Sequence, residues 1–269
     1  MNFFPSLRKK SLFLIIVVVV FYLIIAILSD INDLTINFQE MNYFLILPVL
    51  SVTLAGLFVK SIRQYFLLKQ VKITISFKEN LILYFAGLSL LSAPFGVGGI
   101  VKSHFLLKNQ NESISKTTPV ILIERFHDAL AMFCIILFFV IITNFDLVNI
   151  PLIVIGSTFM FLIIVLKNTH FTKKTVSKLI KIKFLKITDE NSDDFYSSLR
   201  LLSKNYTLIV SWLIGLVGWL FDALAIYFSF LAFGLDLDFF ITTIIGFSSI
   251  LFGSLSFIPG GIGVTELSF

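Results

Sequence analysis

The sequence predicts an all-α polytopic membrane protein, on three observations. Of the 269 residues, 57% are hydrophobic and only 14% are charged. Mean hydropathy is +0.98. Apolar runs that approach or exceed the ~20 residues needed to cross a ~30 Å hydrocarbon core recur at 11–28, 41–59, 119–143, 151–166, 206–233 and 239–258. A soluble domain of this length has no interior for 32 Phe. The expectation is a single integral membrane domain, 1–269, of about five to six full transmembrane helices, with no room for a soluble catalytic domain.

The first run follows Arg8-Lys9-Lys10 and so resembles a signal peptide, but it is longer than a signal core, and Ala26-Ile27-Leu28-Ser29 offers no small-x-small cleavage site. It reads as an uncleaved anchor. Cys134, the sole cysteine, lies inside an apolar run and is assigned to packing. Lys and Arg collect in the N-terminal arm, in 60–78 (Lys60, Arg63, Lys69, Lys72, Lys78) and in 167–204, whereas 29–40, 144–150 and 234–238 have none. Basic loops stay inside, so the N-terminus is expected in the cytoplasm of a multi-pass protein of the cytoplasmic (plasma) membrane. The segment 167–205 is then a cytoplasmic basic loop beside anionic head groups. Within it Phe195, Leu199 and Leu202 recur at helical spacing, which predicts an interfacial or a partner-docking helix.

One segment breaks the alternation. The run 81–92 has too few residues to cross, and Lys102, Lys108 and Lys116 follow it. A cytoplasmic re-entrant hairpin at 81–107 repairs the charge pattern: 81–93 enter, 94–99 turn and 100–107 leave. Its turn contains Pro94, Gly96, Gly98 and Gly99, and the same P-x-G-x-G pattern returns as Pro259, Gly260, Gly261 and Gly263. Backbone breaks at membrane depth are tolerated only where protein or a polar cavity receives the loose amides and carbonyls. A matched pair therefore points to one shared cavity and an inverted repeat, with a second re-entrant or broken helix around 258–263. The competing reading of the second element is a full crossing followed by a Pro-Gly helix start.

Ionisable residues inside spans cost about 2.5–3.5 kcal/mol each on insertion scales, and Glu124, Arg125, Asp128 and Asp222 are such residues. Glu124 and Asp128 share a face at i,i+4, and Arg125 reaches Asp128 at i,i+3. The triplet neutralises itself, or holds Arg125 toward an anion, or pairs helices structurally. Asp222 has no charged neighbour in its own run, and Arg125 and Lys102 are the cations nearest the expected cavity. Glu266 falls in the first turn after Gly263, as a site residue or as a cap on that helix.

Three blocks carry a family resemblance: Pro94-Phe95-Gly96-Val97-Gly98-Gly99-Ile100-Val101-Lys102, Glu124-Arg125-Phe126-His127-Asp128, and Ile258-Pro259-Gly260-Gly261-Ile262-Gly263-Val264-Thr265-Glu266. With them the chain resembles flippase-like membrane proteins related to the transmembrane region of lysylphosphatidylglycerol synthase, a domain also attached to some archaeal dolichol-linked glycosyltransferases. In the first block Gly99 stands where the family has an acid and Lys102 where it has Arg. The family also continues past the third block with one or two helices, so the domain is expected to be truncated at the C-terminus.

The resemblance implies transbilayer movement of an anionic phospholipid, an aminoacylated phospholipid or a polyprenyl-phosphate-linked lipid. Substrate contacts would come from Lys102, Glu124, Arg125, Asp128, Asp222 and Glu266. Cations and helix N-termini suit an anionic head group, and no cofactor or metal is expected. The alternative is a membrane subunit, or a membrane-integral enzyme, of lipid-linked glycosyl or aminoacyl transfer, with a synthase or glycosyltransferase as partner. Asp236-Leu237-Asp238 is a D-x-D on a short turn, read as a plain loop, and His104, His127 and His170 are scattered. Catalysis and nucleic-acid binding are both disfavoured.

Overall fold

A computed structural model describes Val20 and residues 38–88, 97–110, 112–143, 156 and 192–255. These are helical with short connections: α1 Ile46–Gln70, α2 Phe77–Leu88, α3 Val97–Gln110, α4 Ile114–Thr143, α5 Ser192–Leu202, α6 Asn205–Ala232 and α7 Phe239–Leu255. A 3-10 turn, Tyr43–Leu45, leads into α1. The protein is an all-helical polytopic membrane protein. Among the described residues, three helices are long and apolar enough to span: Tyr43–Gln70, Ile114–Thr143 and Asn205–Ala232. The runs 11–28 and 151–166 lie outside the described residues, apart from Val20 and Gly156, as does 256–269 with Pro259, Gly260, Gly261, Gly263 and Glu266.

Burial is inverted relative to a soluble protein. Phe44, Leu47, Phe138 and Ile141 are exposed, while Lys60, Arg63, Lys102, Glu124 and Asp128 are buried. In lipid the exposed aliphatic and aromatic surface carries no hydrophobic penalty, and the charges must find partners inside.

The boundaries correct two expectations. The basic stretch 60–78 is not a loop from its start, because α1 continues through Lys60 and Arg63 to Gln70. The fourth helix begins at Ile114, before Pro119. Ser113 makes that earlier start, its Oγ accepting from the Lys116 amide at 3.2 Å. The first turn of a helix tolerates proline because its amides have no intrahelical acceptor; Pro119 lies just beyond it.

At α2, Ser76 and Glu79 form a capping box: the Glu79 amide donates to Ser76 Oγ at 3.2 Å and the Ser76 amide donates to Glu79 Oε2 at 2.8 Å. The Ser76 amide, together with the Ser76 hydroxyl that donates to Glu79 Oε2 at 2.9 Å, holds the Glu79 carboxyl below its usual range. Asp238, the last residue of the D-x-D, caps α7, accepting from the amides of Phe240 at 2.9 Å and Ile241 at 3.0 Å.

The helices α2 and α3 have 12 and 14 residues, about 18 and 21 Å at 1.5 Å per residue, so neither crosses a ~30 Å core alone. They pack on each other, and α3 also packs on α4. Of the expected turn, Pro94 and Gly96 lie outside the described residues. Gly98 and Gly99 belong to the first turn of α3 rather than to the connection, since helix resumes at Val97.

Two apolar clusters bracket the bundle. One gathers Leu67, Leu68, Leu83, Leu106, Val120, Ile123, Phe195, Leu199 and Leu202 from α1 to α5. The other gathers Met132, Ile136, Phe139, Ala223, Ile244 and Phe247 from α4, α6 and α7. The stripe of α5 is thus spent on this chain's own helices. Ser113 Oγ donates to Asp194 Oδ2 at 2.7 Å and fixes the start of α5 beside α4.

Both α1 and α6 end in a Schellman motif. After α6, Leu235 N donates to Phe230 O at 3.1 Å and Gly234 N to Leu231 O at 3.0 Å, with Gly234 at φ 74°. After α1, Ile73 N donates to Leu68 O and Lys72 N to Lys69 O, both at 3.0 Å, with Lys72 at φ 60°. A side chain in the left-handed region costs about 1–2 kcal/mol. Lys72→Gly is therefore expected to raise, and Gly234→Ala to lower, the melting temperature of the detergent-solubilised protein. A Gly234→Ala variant as stable as the parent would refute the second half.

Candidate functional site

Between the two clusters lies a polar layer built from one face of each central helix. On α1 the positions Gly56, Lys60, Arg63, Gln64, Leu67 and Leu68 are the buried ones that repeat at helical spacing. On α4 they include Glu124, His127 and Asp128; on α6 they include Ser211, Gly215 and Gly218. Lys60, Arg63, Glu124, Asp128 and Asp222 lie 10 to 17 residues into their helices, about 15–26 Å along the axes. The layer therefore lies well inside the helices rather than at their ends.

Three ion pairs organise it. Lys60 pairs with Asp222 across α1 and α6. Arg63 Nη2 lies 2.7 Å from Asp128 Oδ1, joining α1 to α4. Lys102 Nζ lies 3.0 Å from Glu124 Oε2, joining the short α3 to α4. Further hydrogen bonds fill the spaces between them. Trp219 Nε1 donates to Asp128 Oδ1 at 3.0 Å, His127 Nδ1 meets Ser211 Oγ at 2.9 Å, and Gln64 Nε2 donates to Asn80 Oδ1 at 3.0 Å. Asn80 Nδ2 donates in turn to Ser61 O at 2.9 Å, which docks α2 on α1. The Lys60 ammonium also sits 3.6 Å from the Trp219 ring centre and that of Lys102 4.9 Å from the Tyr84 ring centre. Cation–π attraction of this kind strengthens on desolvation.

Glycine makes the room. A Cβ on Gly215 would fall 2.5 Å from Arg63 Nη1, one on Gly218 2.8 Å from Lys60 Cγ, and one on Gly87 would overlap the Lys102 stem. Each buried cation thus lies over a glycine of the neighbouring helix. Small residues have the same use wherever membrane helices approach closely.

The structure brings Lys102, Glu124, Arg125, Asp128 and Asp222 into one layer, with two changes to the expected pairing. Asp222 is met by Lys60, not by Arg125 or Lys102, because α1 lies along α6 and presents Lys60 to it. The Glu124-Arg125-Asp128 triplet does not neutralise itself: Glu124 takes Lys102, and Asp128 takes Arg63 as its short partner. Arg125 reaches Asp128 only at 3.4 Å, and its side chain is 54% exposed. Lys102 lies on α3, in the limb 100–107 expected to leave the hairpin, and is buried against Glu124 of α4.

Sequence reasoning missed Lys60, Arg63, Gln64, Asn80, His127, Ser211 and Trp219. A signal existed. Lys60, Arg63 and Gln64 continue the 3–4 spacing that runs from Gly56 to Leu67, so the helical period passes through the charges rather than stopping at them.

Against this geometry, the model for the lysylphosphatidylglycerol synthase TM region matches residues 13–269. The chain belongs to this family. It is also similar to two archaeal proteins. The UPF0104 membrane protein PH1989 of Pyrococcus horikoshii is 27% identical over 252 residues, covering 83% of this chain and 74% of that protein. The UPF0104 membrane protein MJ1078 of Methanocaldococcus jannaschii is 28% identical over 179 residues, covering 64% of this chain and 73% of that protein. No solved structure matches.

Proposed function

We propose that this protein is a translocase for a lipid with an anionic head group, of the phospholipid, aminoacylated phospholipid or polyprenyl-phosphate type. The observation that carries the reading is Arg125. It stands 11 residues into a 30-residue apolar helix, with a half-exposed side chain and a 3.4 Å contact to Asp128. A guanidinium left open at membrane depth is expensive, and a phosphate that accepts its fork of N–H groups offsets that cost. Asp128 holds it in place while being neutralised on its other side by Arg63. The family name adds lysylphosphatidylglycerol, an aminoacylated phospholipid, as a candidate class.

The test is dithionite reduction of fluorescent phosphatidylglycerol in liposomes containing the purified protein. A charge-assisted hydrogen bond contributes about 1.5–3 kcal/mol, so Arg125→Ala should slow lipid movement by about ten- to a hundredfold, while Arg125→Lys, which keeps the charge but not the fork, should fall between. Unchanged movement by well-folded Arg125→Ala would remove Arg125 from the pathway. Absence of movement by the folded parent protein would refute the translocase.

A further inference from the structure

Among the described residues, the charges of the polar layer do not sum to zero. Lys60, Arg63 and Lys102 are each met by one carboxylate, those of Asp222, Asp128 and Glu124. Arg125 is a fourth cation with no carboxylate of its own: its 3.4 Å contact is to the same Asp128 that Arg63 holds at 2.7 Å. The layer thus carries one positive charge in excess.

Exposure puts that charge where a ligand can reach it. The Arg125 side chain is 54% exposed, against 22% for Asp222, 9% for Asp128 and 2% for Glu124. Arg63 Nε and Nη1 lack acceptors and Glu124 Oε1 lacks a donor, but both side chains are buried and each charge is already met. These atoms add hydrogen-bonding capacity and no net charge. A phosphate arriving at the layer finds an open guanidinium, whose fork donates to two of its oxygens. An ammonium arriving there finds no unmatched carboxylate.

Head groups differ in how they meet a single excess positive charge. A phosphodiester bearing a neutral polyol or sugar brings one negative charge, and its sum with Arg125 is zero. A zwitterionic head group brings a phosphate and an ammonium, which leaves the excess in place. A lysyl ester of the polyol adds two amines that are protonated at pH 7, which enlarges it. Unmatched charge within a span is what the bilayer penalises most.

We infer that the substrate is a lipid whose head group carries one anionic phosphate and no ammonium, and that Arg125 sets this preference by charge. The inference rests on the translocase reading and narrows it: the acidic phospholipid and the polyprenyl-phosphate lipid stay as substrates, and the aminoacylated lipid does not.

The test compares three lipids that carry their fluorophore on an acyl chain, each at trace level in phosphatidylcholine liposomes containing the purified protein. They are phosphatidylglycerol, phosphatidylcholine and the lysyl ester of phosphatidylglycerol, followed by dithionite reduction at pH 7. Phosphatidylglycerol should cross fastest and the lysyl ester slowest, with each unmatched charge slowing movement by about a hundredfold, the factor that insertion scales assign to it. Arg125→Gln should bring phosphatidylglycerol down to the rate of phosphatidylcholine. Arg125→Lys, which keeps the charge, should keep the order of the three lipids at lower rates, and so separates charge from folding. A lysyl ester or phosphatidylcholine that crosses as fast as phosphatidylglycerol in the parent, or the same order of rates in folded Arg125→Gln, would overturn the charge selection and leave the translocase standing. No movement of any of the three by the folded parent protein would overturn both.

Discussion

Asp128→Ala should cost about 3–5 kcal/mol of stability, the range for breaking a buried ion pair by removing one partner. The size follows from what is left behind. Arg63, 1% exposed, loses its 2.7 Å partner, and its Nε and Nη1 are already without acceptors. A guanidinium cannot shed its proton to escape. Trp219 Nε1 loses its acceptor as well. In detergent the variant should elute as aggregate or melt well below the parent. Asp128→Asn keeps an acceptor for the indole but not the charge, and should fall between.

Removing both partners separates the worth of the pair from the cost of an orphaned charge. Replacing a buried pair with apolar residues of similar volume is often close to neutral, so Arg63→Met with Asp128→Leu should recover most of the stability that Asp128→Ala loses. Lipid movement should not recover with it, because Arg125 would no longer be held by Asp128. A double variant as unstable as Asp128→Ala would mean that the two residues act separately and that the pair does not organise the layer.

How far the sequence exposes this arrangement differs from residue to residue. The spans 119–143 and 206–233 are legible because long apolar runs have few other uses in a chain of this composition, and α4 and α6 cover them. The short helices α2 and α3 are legible for the reverse reason: 81–92 is apolar but cannot cross. Glu124, Asp128 and Asp222 stand out as charges within apolar surroundings. Their partners do not, since hydropathy averages over a window and a basic residue after an apolar run looks like the start of a loop. Lys60 and Arg63 read as loop residues for that reason, although α1 continues about two turns or more beyond them. Pairing across helices is a tertiary property. Asp222 chooses Lys60 because α1 and α6 pack more extensively than any other described pair, and no spacing within either helix encodes that choice.

The contact between α1 and α6 also sets the last expected result, a loss of about 1–3 kcal/mol on Gly218→Ala, the usual cost of forcing extra volume into a packed interior, and a larger one on Gly218→Leu. The added Cβ would lie 2.8 Å from Lys60 Cγ and 3.3 Å from Lys60 Cε. The lysine cannot swing away cheaply: its ammonium is held by Asp222 and lies 3.6 Å from the Trp219 ring centre, so displacing the stem also disturbs the ion pair. The neighbouring Val217 is 45% exposed, so Val217→Ala should change the melting temperature little. The decisive comparison is Gly218→Ala in a background carrying Lys60→Ala and Asp222→Ala, where the methyl group has no lysine stem to meet. There the substitution should be nearly silent. An equal loss in both backgrounds would show that Gly218 matters for something other than the passage of Lys60 to Asp222.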